Sequence, residues 1–276
     1  MKHNNDLTVH MVVKNEDRFI WYAISSVLPY VKKLLICDTG SSDDTLKIIR
    51  SFKDKKIFLS ERTISNTTDM AKLRDEQLKN TATDWFWIVD GDEIYSRSLC
   101  QEILVIVKND GINLEGIVVR RYDLLGDIYH YQSGSVGSYN LFGKTGHFVL
   151  RLINKRNVSA LHVEGKYPHE GYYDKYGREI TTHLLEKFKF TEGKLFHAMY
   201  LTRSSKGSNL SDTYHRNKWK IELGQKLTQN MNFPEVFNSE KPKFIPQVTN
   251  KRSFLYEVGA YIITPVKMFK RKLDKV

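Results

Sequence analysis

The order of hydrophobic and polar positions changes period repeatedly over the first hundred residues. Short apolar runs, "LTVHMVV" (7–13), "KKLLIC" (32–37), "KIFLS" (56–60) and "WFWIV" (85–89), alternate with stretches whose apolar residues recur at helical spacing: "FIWYAISSVL" (19–28), "DDTLKIIRSFK" (43–53) and "DMAKLRDEQLKN" (69–80). Such alternation predicts βαβ units on a parallel sheet. Ligands of these sheets bind beyond the carboxyl ends of the strands. The polar residues after each run therefore become candidates: Asn15 and Glu16, Asp38, Glu61 and Arg62, and Asp90 to Glu93. In "TGSSDDT", Gly40 can make a tight turn while Ser41, Ser42 or Asp43 caps the next helix. The first amides of that helix can also face a phosphate.

Past residue 110 the pattern loosens. "GIVVRRYDLL" (116–125) and "GHFVLRLINK" (146–155) read as strands, 126–146 as a loop rich in Gly, Ser and Tyr, and "SDTYHRNKWKIELGQKL" (211–227) as a helix. Pro, Asn and Lys accumulate over 229–252, which predicts a linker ahead of an amphipathic helix, "SFLYEVGAYIITPVKMFKRKL". The expected organisation is one α/β domain over 1–228, with halves at 1–110 and 111–228, followed by the linker and basic helix of 229–276.

A chain of 276 residues that is 41% hydrophobic and 12% aromatic can bury a substantial core. Lys and Arg exceed Asp and Glu by 43 − 32 = 11, which points to an anionic partner: nucleic acid, a nucleotide or an acidic membrane face. No RNP or KH pattern is present, so nucleic acid is not the expected one. Cys37 and Cys100 lie in apolar runs, which disfavours a disulfide framework and suits a reducing compartment. The opening residues read as a strand rather than a signal peptide, and "VGAYIITPV" is too short to span a bilayer. The expected location is cytoplasmic, with peripheral attachment at the inner membrane face left open. Lys267, Lys270, Arg271, Lys272 and Lys275 stand against Asp274, beside Tyr256, Tyr261, Ile262 and Phe269. That composition suits either an anionic bilayer or a solvated basic tail.

In "DWFWIVDGDEIY" (84–95) a strand with every mark of burial runs into three acids around a glycine. Carboxylates crowded at a strand end repel one another unless a cation neutralises them. Asp92 and Asp90 are the candidate ligands of Mn²⁺ or Mg²⁺, with a ribose contact as the other role for Asp90, and Gly91 leaves room for close approach. An EF-hand is excluded because Tyr95 stands where the loop needs glycine. Taken alone, Asp-x-Asp is too short a pattern to rule out a solvated turn that caps a helix.

The order "VVKNED", "ICDTGSSDDT", "KLRDEQL" and "DWFWIVDGDE" resembles the nucleotide-sugar-binding half of family 2 glycosyltransferases, over roughly residues 7–95. The resemblance implies an α/β fold of GT-A (Rossmann-like) type, with a mixed, mainly parallel central sheet and a C-terminal helical extension. It implies metal-dependent, inverting transfer of a sugar from a nucleoside diphosphate sugar, a UDP-sugar first among donors. The acceptor would be a hydroxyl of a glycan, a lipid-linked intermediate or a protein, in cell-surface glycan synthesis. By the same resemblance Asp38 lies near the nucleotide and "DGDE" supplies the metal-binding carboxylate, Asp92, while Asn15, Glu16, Asp90 and Glu93 are expected to bind substrate from their place at the strand ends. Many relatives carry Arg-Asn on the third helix where this chain has Arg74-Asp75; Arg74 can still approach the diphosphate, or be an ordinary surface charge. "FVLRLINK" followed by "VSALHVEGKYPHEG" resembles a weaker pattern in which an Arg-bearing strand precedes a His-Glu pair on the acceptor side, matched here by His169 and Glu170. Glu170 is then the candidate general base and His169 an acceptor contact, with His162, Glu164 and Asp123 as rivals. His197 in "LFHAMYL" resembles a histidine that completes the metal site, or is a core histidine. The competing class, a non-catalytic basic binding protein for nucleic acid or membranes, explains the charge but leaves the acidic strand ends without a purpose.

Overall fold

The structure is a computed structural model, and it describes residues 7–134, 136–206, 220–228 and 231–273. The first units follow the predicted alternation: β1 (Leu7–Val13), α1 (Ile20–Val27), β2 (Lys33–Asp38), α2 (Thr45–Ser51), β3 (Ile57–Glu61), α3 (Asp69–Lys79) and β4 (Trp85–Ile88). Strands β4, β1, β2 and β3 lie side by side in parallel, in register such that Val13, Asp38 and Glu61 end the sheet at one edge. The apolar run of β4 is continuous because both its faces are covered. Trp85 and Trp87 join the core that includes α1, while Phe86 and Ile88 face the opposite cluster with Ala71, Leu78 and Tyr172.

A short β5 (Glu93–Ile94) leads into α4 (Arg97–Asn109), whose Ser96 cap accepts from the Leu99 amide and whose Leu99, Cys100, Ile103 and Ile106 are buried. The second half adds β6 (Gly116–Leu125), β7 (His130–Tyr131), β8 (Tyr139–Leu141), β9 (Lys144–Gly146) and β10 (Phe148–Asn154). It continues with β11 (His162–Glu164), β12 (Gly171–Tyr173), β13 (Phe188–Tyr200), β14 (Gln225–Lys226) and α5 (Phe254–Leu273). Strand β10 is antiparallel to both β4 and β6, which makes the sheet mixed, and β13 runs parallel to β6 and antiparallel to β5.

Three expectations need correction. The described part of 229–252 is not a mere linker, because Val236, Phe237, Ile245 and Val248 are buried in the main core. The stretch 126–146 is not a plain loop, because β7, β8 and β9 fall within it. The helix expected over 211–227 is not formed in its described part. Residues 220–224 have no regular structure and Gln225–Lys226 pair with β7, while 211–219 lie outside the described residues. Backbone groups there are satisfied by α5 instead: Tyr256 donates its hydroxyl hydrogen to the Lys220 carbonyl at 2.8 Å, and the Leu223 amide donates to Thr264 Oγ1 at 2.9 Å.

Candidate active site

The chain leaves the sheet after the Val89 amide bonds the His10 carbonyl, and the turn Asp90-Gly91-Asp92 follows. A Cβ on Gly91 would stand 3.0 Å from Glu16 Cγ and 3.1 Å from Val13 Cγ1, so glycine lets this turn sit down on the loop after β1 without displacing those side chains. The acids on either side of the glycine then diverge. Asp90 accepts from Arg151 Nη2 at 2.6 Å, and its other oxygen is 3.9 Å from Arg74 Nη2. Glu93 accepts from Arg151 Nε at 3.0 Å, and Arg74 Nε donates to Glu170 Oε1 at 3.2 Å. The side chains thus alternate in charge as Glu170, Arg74, Asp90, Arg151, Glu93. Burial alone would raise the Asp90 carboxyl, but Arg151 and Arg74 hold it well below the usual carboxylate range.

Asp92 points elsewhere. Its Oδ2 lies 3.0 Å from Arg203 Nη1 and 3.6 Å from His197 Nε2. The other ring nitrogen of His197, Nδ1, is 3.1 Å from Asp123 Oδ1. A histidine held by a carboxylate on one nitrogen is the arrangement that orients metal-binding imidazoles. Burial opposes charge on Asp92, yet His197 and Arg203 lower its carboxyl. Asp92 and His197 fit a divalent cation that keeps coordination positions for substrate oxygens and water. Among the described residues, three or more His, Cys, Asp or Glu side chains do not gather into a metal-binding group, so those residues supply at most part of a coordination shell. Arg203 also reaches Glu16 Oε1 at 3.3 Å, placing a permanent cation at the same acids.

On the other side of the edge, Asp38 Oδ1 accepts from the Gly40 and Ser41 amides at 2.9 and 2.8 Å, and its Oδ2 from the Ser41 hydroxyl at 2.5 Å. Asp38 therefore shapes the turn after β2. Asn15, at φ 55°, locks that turn to the loop after β1: its amide donates to Ser41 Oγ and its Oδ1 accepts from the Ser42 amide, each at 2.8 Å. Residues 203–206 close over both loops, with the Ser205 amide donating to Asp17 Oδ1 at 2.8 Å and the Ser204 hydroxyl to Asp43 Oδ2 at 2.6 Å. Glu61 and Arg62 end the edge but turn outward, Glu61 to Arg50 and Arg62 to Glu76. His169 is exposed beside the inward Glu170, and His162 pairs with Glu164 on the surface at 3.0 Å.

Sequence reasoning did not single out Arg203 or Asp17, offered Asp43 only as a helix cap, and met Arg151 only as the arginine of an Arg-bearing strand. Arg151 carried a signal, a cation inside the apolar run "FVLRLIN" of an interior strand. Arg203 carried none, since its partners Glu16 and Asp92 are far from it in sequence.

The family profile described as "Glycosyl transferase family 2" matches residues 8–163. The glycosyltransferase SunS of Bacillus subtilis, described as derived from prophage SPbeta, is 26% identical over 92 residues, or 33% of this chain and 21% of SunS. The chain thus matches about a fifth of the length of that curated relative. Among solved structures, S. aureus TarS superposes with a TM-score of 0.40 at 13% identity, covering 54% of this chain and 47% of TarS. Glucosyl-3-phosphoglycerate synthase from Mycobacterium tuberculosis, crystallised with Mn²⁺ and UDP-glucose, gives 0.33 at 18% identity, covering 43% of each chain.

Proposed function

This chain belongs to glycosyl transferase family 2, and from that premise we propose that it transfers a sugar from a nucleoside diphosphate sugar to an acceptor hydroxyl with inversion. The observation that carries the reading is the Asp90-Gly91-Asp92 turn at the carboxyl edge of the parallel strands, ringed by Arg74, Arg151 and Arg203. Departure of a nucleoside diphosphate needs positive charge where negative charge develops. Arg203 is positioned to meet diphosphate oxygens beside Asp92. Asn15, Asp38 and Ser41 hold the floor on which a nucleotide would rest, so Asp38 acts on donor affinity through the shape of that turn.

His197 and Asp92 would hold Mn²⁺ or Mg²⁺, and a bound cation supplies further neutralisation of the leaving diphosphate. Asp123 fixes the His197 ring so that Nε2 faces Asp92. Glu170 serves as the general base: Arg74 engages Oε1, while Oε2 is buried without a partner among the described residues and can accept a hydroxyl proton. His169 meets the acceptor from the solvent side. A role in cell-surface glycan synthesis, with a glycan, lipid-linked or protein acceptor, fits this chemistry.

The test is hydrolysis of a panel of nucleotide sugars, UDP-sugars first, by wild-type protein and Asp92→Ala, with Mn²⁺ or with EDTA. Turnover of one donor that needs the metal and is lost in the variant is expected. No turnover and no nucleotide binding by the wild type would end the transferase reading, whereas full activity in EDTA would end only its metal part.

A further inference from the structure

A cavity of about 380 Å³ opens between β6, β7, β9, β10 and β13. That volume falls in the range of small-molecule sites. Its wall carries Arg120, Arg121, Lys144, Lys194 and His147, and no carboxylate lines it among the described residues. Asp123, 3.0 Å from Arg121 Nε in a buried pair, and Glu192, 3.9 Å from Arg120 Nη2, offset part of this charge, and Lys144 and Lys194 add to what is left. Lys194 registers the crowding, for burial and then Arg120 push its ammonium below the ordinary lysine range.

The donors of this wall are also incompletely used. Arg120 Nε, Arg121 Nη2 and His147 Nε2 are shielded from solvent and have no hydrogen-bond partner among the described residues. Arg121 as a whole is only 8% exposed. Buried donors of this kind are normally satisfied, and leaving one unmade costs more than a typical hydrogen bond contributes. The unpaired guanidinium N–H groups of Arg120 and Arg121 call for an acceptor with several oxygens.

The cavity is coupled to the candidate active site through one carboxylate. Asp123 Oδ2 is 2.7 Å from His147 Nδ1, in the cavity wall, and Asp123 Oδ1 is 3.1 Å from His197 Nδ1, which faces Asp92. We infer that this cavity binds an anionic group, phosphoryl or carboxylate, borne by the sugar acceptor. The inference rests on the transferase reading for the word acceptor, but the cavity's taste for anions is measurable without turnover. A half-open cationic space of this size takes one compact anion, and a nucleic-acid strand would need a groove that tracks several phosphates.

The experiment is calorimetric titration of the full chain with glucose 6-phosphate, glucuronate and neutral glucose, each with and without saturating UDP and Mn²⁺. At least one anionic sugar is expected to bind about tenfold or more tightly than glucose, as charge-assisted contacts allow. UDP should not displace it, and whichever anion binds identifies phosphoryl or carboxylate chemistry. Lys144→Gln with Lys194→Gln, both outside the buried Arg121–Asp123 pair, should weaken that binding about tenfold while UDP affinity is unchanged. Equal binding of glucose and both anions, displacement by UDP, or indifference to the two substitutions would overturn the inference. Failure of UDP itself to bind the wild type would instead count against the donor reading, since the preference for anions is read in the titrations without nucleotide.

Discussion

Glu170 has one oxygen against Arg74 and one without a partner, and that asymmetry is what a general base beside a cationic donor site requires. Glu170→Gln keeps the shape and a carbonyl oxygen to accept from Arg74, but cannot take up a proton at neutral pH. Turnover is expected to fall by about a hundredfold or more, with donor affinity nearly unchanged. His169→Ala, on the exposed side, should act on acceptor KM. Steady-state kinetics on both variants check the assignment: full turnover in Glu170→Gln together with loss in His169→Ala would reverse it. At this scale the sequence was informative where chemistry followed an apolar run directly, as with Asp90, Asp92 and Glu93 after "WFWIV". It was silent on Arg203, whose link to Asp92 spans 111 positions and exists only because the segment at 203–206 folds back over Asp17 and Asp43.

At the scale of elements, the units up to β4 were legible because their apolar periods are clean and each is closed by turn or capping residues. The strands β7, β8, β9, β11 and β12 are two or three residues long, too short to show a period. The region around Lys220 was misread because tertiary bonds to α5 override its local helical pattern. Strand β1 illustrates a further property of an interior strand, since it carries a titratable group in the middle of the sheet. His10 is fully enclosed, stacks on Phe86 with ring centroids 4.5 Å apart, and shares a hydrogen bond of 2.5 Å between Nε2 and Thr81 Oγ1. Burial, with Arg74 and Lys155 adding to it, lowers its pKa from 6.5 to about 3. The folded state therefore keeps His10 neutral where the unfolded chain binds a proton. Stability from this group is fully present above about pH 6.5 and declines as pH falls toward 3. At pH 4.5 the loss is on the order of 2–3 kcal/mol. Urea melts at pH 7 and pH 4.5 are expected to show it, and His10→Gln should lose less on acidification. An identical acid response in both proteins would show that the group responsible lies elsewhere.

For the whole molecule, the feature left unabsorbed by the active site is α5. One of its faces is fastened to the body: Tyr256 bonds the Lys220 carbonyl, Ala260 is buried, and Arg271 pairs with Glu222 at 2.7 Å. Tyr256 and Arg271, grouped by sequence with the membrane-facing residues, are therefore turned inward. The opposite face presents Leu255, Val258, Ile262, Val266, Phe269 and Leu273, spaced by three or four, with Ile262 and Phe269 each 66% exposed. Lys270 and Lys272 are exposed near its end. No helix among the described residues is long and apolar enough to cross a membrane, so such a face can lie on a bilayer but not traverse it. We favour an anionic lipid surface over a second copy as its occupant, because a chain of net charge +11 repels its own kind and is drawn to acidic headgroups. Sedimentation with vesicles containing phosphatidylglycerol should carry the protein down at low salt, and neutral phosphatidylcholine vesicles should carry less. Ile262→Asp with Phe269→Asp, both in solvent and so harmless to folding, is expected to reduce the bound fraction about tenfold, while Lys270→Glu with Lys272→Glu should remove mainly its salt sensitivity. A lipid-free dimer in analytical ultracentrifugation, broken by the same aspartates, would assign the face to a second copy, and equal recovery of all forms in the supernatant would leave α5 without a lipid role.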